Sequence, residues 1–372
     1  MKKYFVMAAL AVSTLTASAQ SVVPKWINNV KLSGFGIVQY TYNGQENNES
    51  NSFNLRLARL ALDGRAFDDW YWKAQIQFNG NTSTLGSSPK LVDLFIEWQK
   101  YDFLRVKAGQ FKNPFTYENP MHPIDQGFMT YSQVISKFAG FSDRAGAHSS
   151  NGRDIGVQLQ GDFLKNASGR NLIHYQVGVF NGQGINVKDV DQQKNIIGGA
   201  WVMPVEGMRL GAFGWIGSYA RKGTSASEGI TNTTLRRLQQ RRYAFSAEYK
   251  VDDWTFRSEY VHSTGYAFAK AMVNTNDASA KDITLSSNGD KSQGVYALVI
   301  APIIKKKCHA KARYDMYQPS KGAEKQRTQY EIGLDYYFNK NICLTGEYAY
   351  IHDRALADPN YSMIDVELSY RF

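Results

Sequence analysis

The chain has 372 residues, with 43 Lys and Arg against 33 Asp and Glu for a formal charge of +10, and it is rich in aromatics (Tyr 23, Phe 20, Trp 7) and poor in Pro (9). After the first residues no apolar run reaches the roughly 18 residues of a membrane-crossing helix, so no helix is expected to span a bilayer. The positive charge is spread along the chain and forms no stripe or recognised motif, which argues against nucleic-acid binding.

At the N-terminus Lys2 and Lys3 precede a mostly apolar Tyr4–Leu15 and the small-x-small step Ala17-Ser18-Ala19. This pattern predicts a secretory signal peptide over 1–19, cleaved after Ala19, and a single mature domain over 20–372. Loss of the leader leaves 41 basic against 33 acidic residues, a formal charge of +8. No Cys lies near the cleavage step, so lipid attachment there is not expected.

From there the chain alternates with period two, the pattern of a strand with one face in an apolar medium and one in water. In NLRLARLALDGR the outward phase moves from Phe53, Leu55 and Leu57 to Leu60 and Leu62. A one-residue bulge near Ala58 accounts for the move and turns Arg56, Arg59 and Arg65 to the wet side. In DWYWKAQIQFN, Trp70, Trp72, Ala74, Ile76 and Phe78 oppose Lys73, Gln75 and Gln77. Leu104, Val106 and Ala108 oppose Arg105 and Lys107; Tyr243, Phe245 and Tyr249 oppose Arg242, Ser246 and Glu248; Tyr330, Ile332 and Leu334 oppose Glu331 and Asp335.

Sixteen strands are predicted, starting near residues 31, 53, 69, 90, 103, 153, 171, 195, 207, 242, 253, 294, 307, 328, 341 and 361. The last ends on the terminal residue, Phe372, as outer-membrane barrels end when they are presented to the insertion machinery. Links such as Phe67-Asp68, Val251-Asp252-Asp253 and Asn339-Lys340 are short, and they alternate with polar links at 43–52, 79–89, 112–152, 181–194, 221–241, 265–293, 318–327 and 353–360. Short turns on one side and long loops on the other belong to an antiparallel all-β transmembrane barrel, in which closure satisfies every backbone hydrogen bond. The mean hydropathy of −0.42 fits, because only alternate residues meet lipid. With about sixteen strands the lumen holds water.

Cations recur on the inward rows: Arg56, Arg59, Arg65, Lys73, Arg105, Lys107, Arg257, Lys311 and Arg313, with Lys137, Arg144 and Arg153 added by the link 112–152 and its end. Rows of cations in a water-filled pore attract anions, and guanidinium groups bond oxyanions directly. Glu97, Glu248, Glu259, Glu331, Glu347, Asp365 and Glu367 also point inward and weaken that field, so a mild anion preference is expected. No nucleophile motif or HExxH pattern accompanies the six His, so no catalytic residue, metal site or cofactor is expected, and the chain is not read as an enzyme. Cys308 and Cys343 fall on strands separated by a third and are expected to remain unpaired.

Several of these segments carry a family resemblance. KLSGFGIVQY, FNLRLARLALDGRAFDDWYWKAQIQF, LVDLFIEWQKYDFLRVKAGQFKNPF and the Phe-terminated last strand resemble the phosphate-selective porin O and P family, in its Bacteroidetes form. The resemblance implies a homotrimer of sixteen-stranded porins in a Gram-negative outer membrane, in contact with lipid and lipopolysaccharide, passing small hydrophilic solutes or anions by diffusion. It makes the link 112–152 the third external loop, which in general porins folds inward and narrows the channel. Arg56 matches a position of the family's arginine ladder, whereas Phe35 stands where phosphate-selective members place an Arg on the first strand, which lowers the expected phosphate selectivity. The alternative is a structural or adhesive barrel whose external loops at 221–241 and 265–293 bind partners.

Overall fold

In the computed structural model, which describes residues 24, 26–79, 89–145, 150–225, 230–265, 267–268, 285–286 and 291–372, sixteen antiparallel strands close into a barrel. They are β1 (Ile27–Asn43), β2 (Ser50–Ala66), β3 (Trp70–Gln77), β4 (Lys90–Tyr101), β5 (Leu104–Lys112), β6 (Arg153–Lys165), β7 (Asn171–Phe180) and β8 (Asn195–Val202). The second half comprises β9 (Met208–Ser225), β10 (Ile230–Val251), β11 (Trp254–Thr264), β12 (Lys291–Ile304), β13 (Cys308–Gln318), β14 (Arg327–Asn339), β15 (Ile342–Asp353) and β16 (Asn360–Arg371). Each strand pairs with its neighbours in the chain, and β16 returns to β1 with Phe35 opposite Arg371 and Tyr42 opposite Ile364. A separate two-stranded ribbon pairs Ala267–Phe268 with Leu285–Ser286. The expected signal peptide, 1–19, lies outside the described residues, as does most of the links 79–89 and 265–293.

The apolar rows are on the outside. Phe53, Leu55, Phe245, Ile332 and Leu368 are exposed, while Arg242, Glu248, Arg313, Glu331 and Asp365 are buried within the wall. Water around such a surface would leave the apolar rows uncovered; hydrocarbon covers them, and the closed ladder leaves no free strand edge. No helix among the described residues is long and apolar enough to cross a membrane.

Two details differ from the sequence-based expectation. The bulge in β2 sits at Arg56, earlier than the expected Ala58: Ile37 faces Leu57 and Val38 faces Leu55, so Arg56 has no opposite residue on β1. The expected phase put the insertion between Leu57 and Leu60; the pairing with β1 moves it to Arg56 and sets Leu57, expected outward, opposite the buried Ile37. The expected link 221–241 is mostly strand, since β9 runs to Ser225 and β10 starts at Ile230 and extends for 22 residues. A tilted crossing needs only about 9–11 residues. Its run TNTTLRRLQQRR has polar residues at both alternating phases, so no apolar period marks it as strand.

Cys308 on β13 and Cys343 on β15 are both free, with β14 between them. Inside the barrel, Phe115, Tyr117, Phe128 and Phe138 of the segment joining β5 to β6 form an apolar cluster with Trp215, Tyr219, Tyr296 and Tyr317 of the wall. This segment also carries the helix α1 (Gln133–Phe138), started by Ser132, whose hydroxyl accepts from the Ile135 amide at 3.3 Å.

Candidate functional site

The segment between Lys112 and Arg153 cannot pair its backbone with the sheet, so its polar groups must find other partners inside the barrel. The wall supplies them as buried charges. Glu259 on β11 accepts the amides of Tyr117 and Glu118 at 2.7 and 3.0 Å, Glu347 on β15 that of Met129 at 3.0 Å, and Asp315 on β13 that of Gln133 at 2.7 Å. In the opposite sense Arg257, Lys311 and Arg313 donate to the carbonyls of Gln126 (2.8 Å), Gly127 (2.8 Å) and Thr130 (3.0 Å). Arg242 clamps Asp143 with two bonds of 2.8 Å and reaches the Phe138 carbonyl at 2.5 Å. α1 packs beside Gly294 of β12, where a Cβ would stand 3.1 Å from Phe138.

Three cavities surround this segment. One of about 420 Å³ lies toward the short turns; Lys250, Arg257 and Lys311 face Asp125, Asp253, Asp335 and Glu367 there. A second, of about 350 Å³ toward the long loops, has Lys137 and Arg327 against Glu331, Glu347, Asp353 and Asp365. The third, about 290 Å³, lies between the segment and the β1–β7 wall, and in it Arg59, Lys73, Lys107, Lys112 and Arg153 face a single carboxylate, Asp93. Of the three, this one carries the excess positive charge.

The expected cations divide into groups. Arg59, Lys73, Lys107 and Arg153 meet in the third cavity. Arg153 is bound to Asp93 at 2.7 and 3.2 Å, and Lys107 lies 3.5 Å from Glu97. Arg59 donates its Nε to Gln77 at 2.9 Å, and among the described residues neither it nor Lys73 has an ion pair. Arg257, Lys311 and Arg313 anchor the inner segment and are themselves paired, with Glu248 (2.7 Å), with Asp335 and Glu347 (2.8 and 2.6 Å), and with Glu331. Arg56 pairs with Glu367 at 2.7 Å and Arg105 pairs with Asp162, both away from the third cavity. Arg65 bonds the Asp68 carbonyl at 2.8 Å beside a short turn. Arg144 binds Gln240 and the Gly265 carbonyl at 2.8 and 2.7 Å. Lys137 bonds Ser142 at 3.1 Å, and burial together with Arg327 holds its ammonium below the usual range.

Two residues of the candidate site were missed by sequence reasoning. Lys112, whose ammonium bonds the Met121 carbonyl at 2.6 Å, stands where β5 ends and alternation stops, so no sequence signal placed it in the cavity. Arg242 did have a signal, its alternation against Tyr243, but nothing local foretold that its partner would be Asp143.

The family described as phosphate-selective porin O and P matches residues 33–191, a span that includes β2 to β7 and the whole inner segment. Over that span the chain is similar to this family. No curated protein matches the sequence. Among solved structures, the anion-selective porin from Comamonas acidovorans is similar at a TM-score of 0.62 and 12% identity, covering 92% of this chain and 99% of its own. The Salmonella typhi OmpF complex with daunomycin gives 0.64 and 12%, covering 94% and 99%, and the outer membrane channel DcaP of Acinetobacter baumannii gives 0.60 and 13%, covering 92% and 97%. At such identities the likeness is one of fold. The family match and the porin fold together point to an outer-membrane channel rather than an enzyme.

Proposed function

We propose that residues 20–372, after removal of 1–19, form a porin domain that passes small hydrophilic solutes by diffusion and prefers anions, and that it works as a homotrimer in a Gram-negative outer membrane, bathed by lipid and lipopolysaccharide. The observation that carries the anion preference is the cavity in which five cations face one carboxylate. Arg59, Lys73, Lys107, Lys112 and Arg153 set its potential, while Arg56, Arg65, Arg105, Lys137, Arg144, Arg257, Lys311 and Arg313 act on solutes only through the longer-range field. Phe35 lines the same cavity in the place of an Arg, which supports general anion passage over selective phosphate binding.

The test is the reversal potential of the purified protein in a planar bilayer under a KCl gradient. Chloride is expected to be more permeant than potassium, and Arg59→Ala combined with Lys73→Ala is expected to lower the ratio. Unit charges about 4 Å apart interact by about 1 kcal/mol in water, so the loss is at most about fivefold per charge removed. A potassium-selective wild type would overturn the anion reading, and an unchanged ratio in the double variant would remove these two residues from it.

A further inference from the structure

The lumen of a barrel porin is polar, yet the cationic cavity is also lined by Phe35 of β1, Phe95 of β4 and Phe111 of β5. All three stand on inward positions, in the rows that elsewhere carry charges. Phe95 and Phe111 meet edge to face at 5.9 Å, and the Lys107 ammonium lies 5.0 and 5.3 Å from their ring centres. Arg59 lies 5.8 Å from the Phe35 ring, which meets His122 at 4.4 Å. Facing these strands, the inner segment offers Pro114, Pro120, Met121 and Pro123. The cavity thus joins positive charge to apolar surface on both sides, where a site for a hydrated inorganic ion has use only for the charge.

We infer that this cavity selects aromatic carboxylates over inorganic or short aliphatic anions of equal charge. The carboxylate is held by Arg59 and Lys73, which have no ion pair of their own among the described residues. The ring lies between Phe95 and the Met121 side chain, gaining burial and aromatic and sulfur contacts that chloride, phosphate and acetate cannot make. The space suffices: about 290 Å³ here, against the roughly 150 Å³ of a closed apolar cavity that binds benzene. Phe35 belongs to the same device, because an Arg in its place would add charge and remove one apolar wall. This inference rests on the anion reading proposed above.

The experiment measures inhibition of chloride current through the purified porin in planar bilayers, with benzoate and acetate as probes at equal ionic strength. Benzoate is expected to reach half-block at a concentration at least tenfold below that of acetate, and Phe95→Ala is expected to bring that ratio toward one. A wild-type ratio of threefold or less, with chloride still preferred over potassium, overturns the inference and leaves the anion reading standing. A potassium-selective wild type overturns both. A Phe95→Ala channel that keeps the full ratio also overturns the inference. The wild-type comparison needs no variant, so it decides the question even if Phe95→Ala fails to assemble.

Discussion

Arg313 does two jobs with one guanidinium. It pairs with Glu331 on the adjacent strand and donates to the Thr130 carbonyl and hydroxyl at 3.0 and 3.1 Å, so the wall and the inner segment share one charge. Both partners of the ion pair are almost fully buried, at 1% and 3% side-chain exposure. Removing one member of such a pair leaves the other charge without compensation, which costs about 3–5 kcal/mol. Arg313→Ala is therefore expected to lower the unfolding midpoint of the detergent-solubilised barrel clearly, whereas Lys165→Ala, which removes only an exposed pair with Asp102, is expected to shift it hardly at all. Urea titration followed by Trp fluorescence separates the two; equal midpoints for both variants would contradict this assignment.

The inner segment is held in the barrel by buried charges of the wall, and its docking carries a titratable group. Burial pushes the His122 imidazole down to about 4; Asp125 opposes this, while Lys112, Arg371 and Arg59 add to it. An unperturbed imidazole titrates near 6.5. Between these values the unfolded chain binds a proton that the folded one refuses, so stability rises with pH across this window. The contribution is complete above about pH 6.5 and is lost as the pH falls toward 4. Limited proteolysis of the segment at pH 7.5 and pH 5 is expected to show faster cleavage in acid, with a smaller acid effect in His122→Phe, which keeps a ring against Phe35. An equal acid effect in both proteins would assign it to the carboxylates that hold the segment instead.

At the scale of the whole molecule, the seam between the first and last strands decides whether a cylinder forms. Gly34 and Phe372 exchange two backbone hydrogen bonds, at 3.1 and 3.0 Å, and a Cβ on Gly34 would stand 2.7 Å from the Phe372 ring. The terminal ring therefore lies over a glycine that leaves it room, and it stays largely exposed on the lipid side. Phe372→Ala is expected to reduce the fraction of chain that runs as a folded, heat-modifiable species after membrane extraction. Undiminished assembly would show that the terminal ring is dispensable for closure.

The sequence by itself determined the class, the number of strands and the side to which nearly every strand residue points. Those properties follow from a contrast between hydrocarbon and water that acts on every second residue, so each strand records it locally: Tyr243 against Arg242, Ile332 against Glu331. The bulge was legible as a change of phase, and Lys73 and Lys107 as inward cations. The extended β9–β10 ribbon was not, because its sequence is polar at both alternating phases and so shows no such contrast. Nor was the division of the cations into paired and unpaired, since pairing joins residues far apart in the chain, as Arg56 joins Glu367 across 311 positions. Only closure of the barrel and the seating of the inner segment brought Arg59, Lys73, Lys107, Lys112 and Arg153 into one cavity with Phe35, Phe95 and Phe111. Alternation sets the face of each side chain, but the potential at a point in the lumen depends on which charges meet there, and that is a property of the tertiary structure.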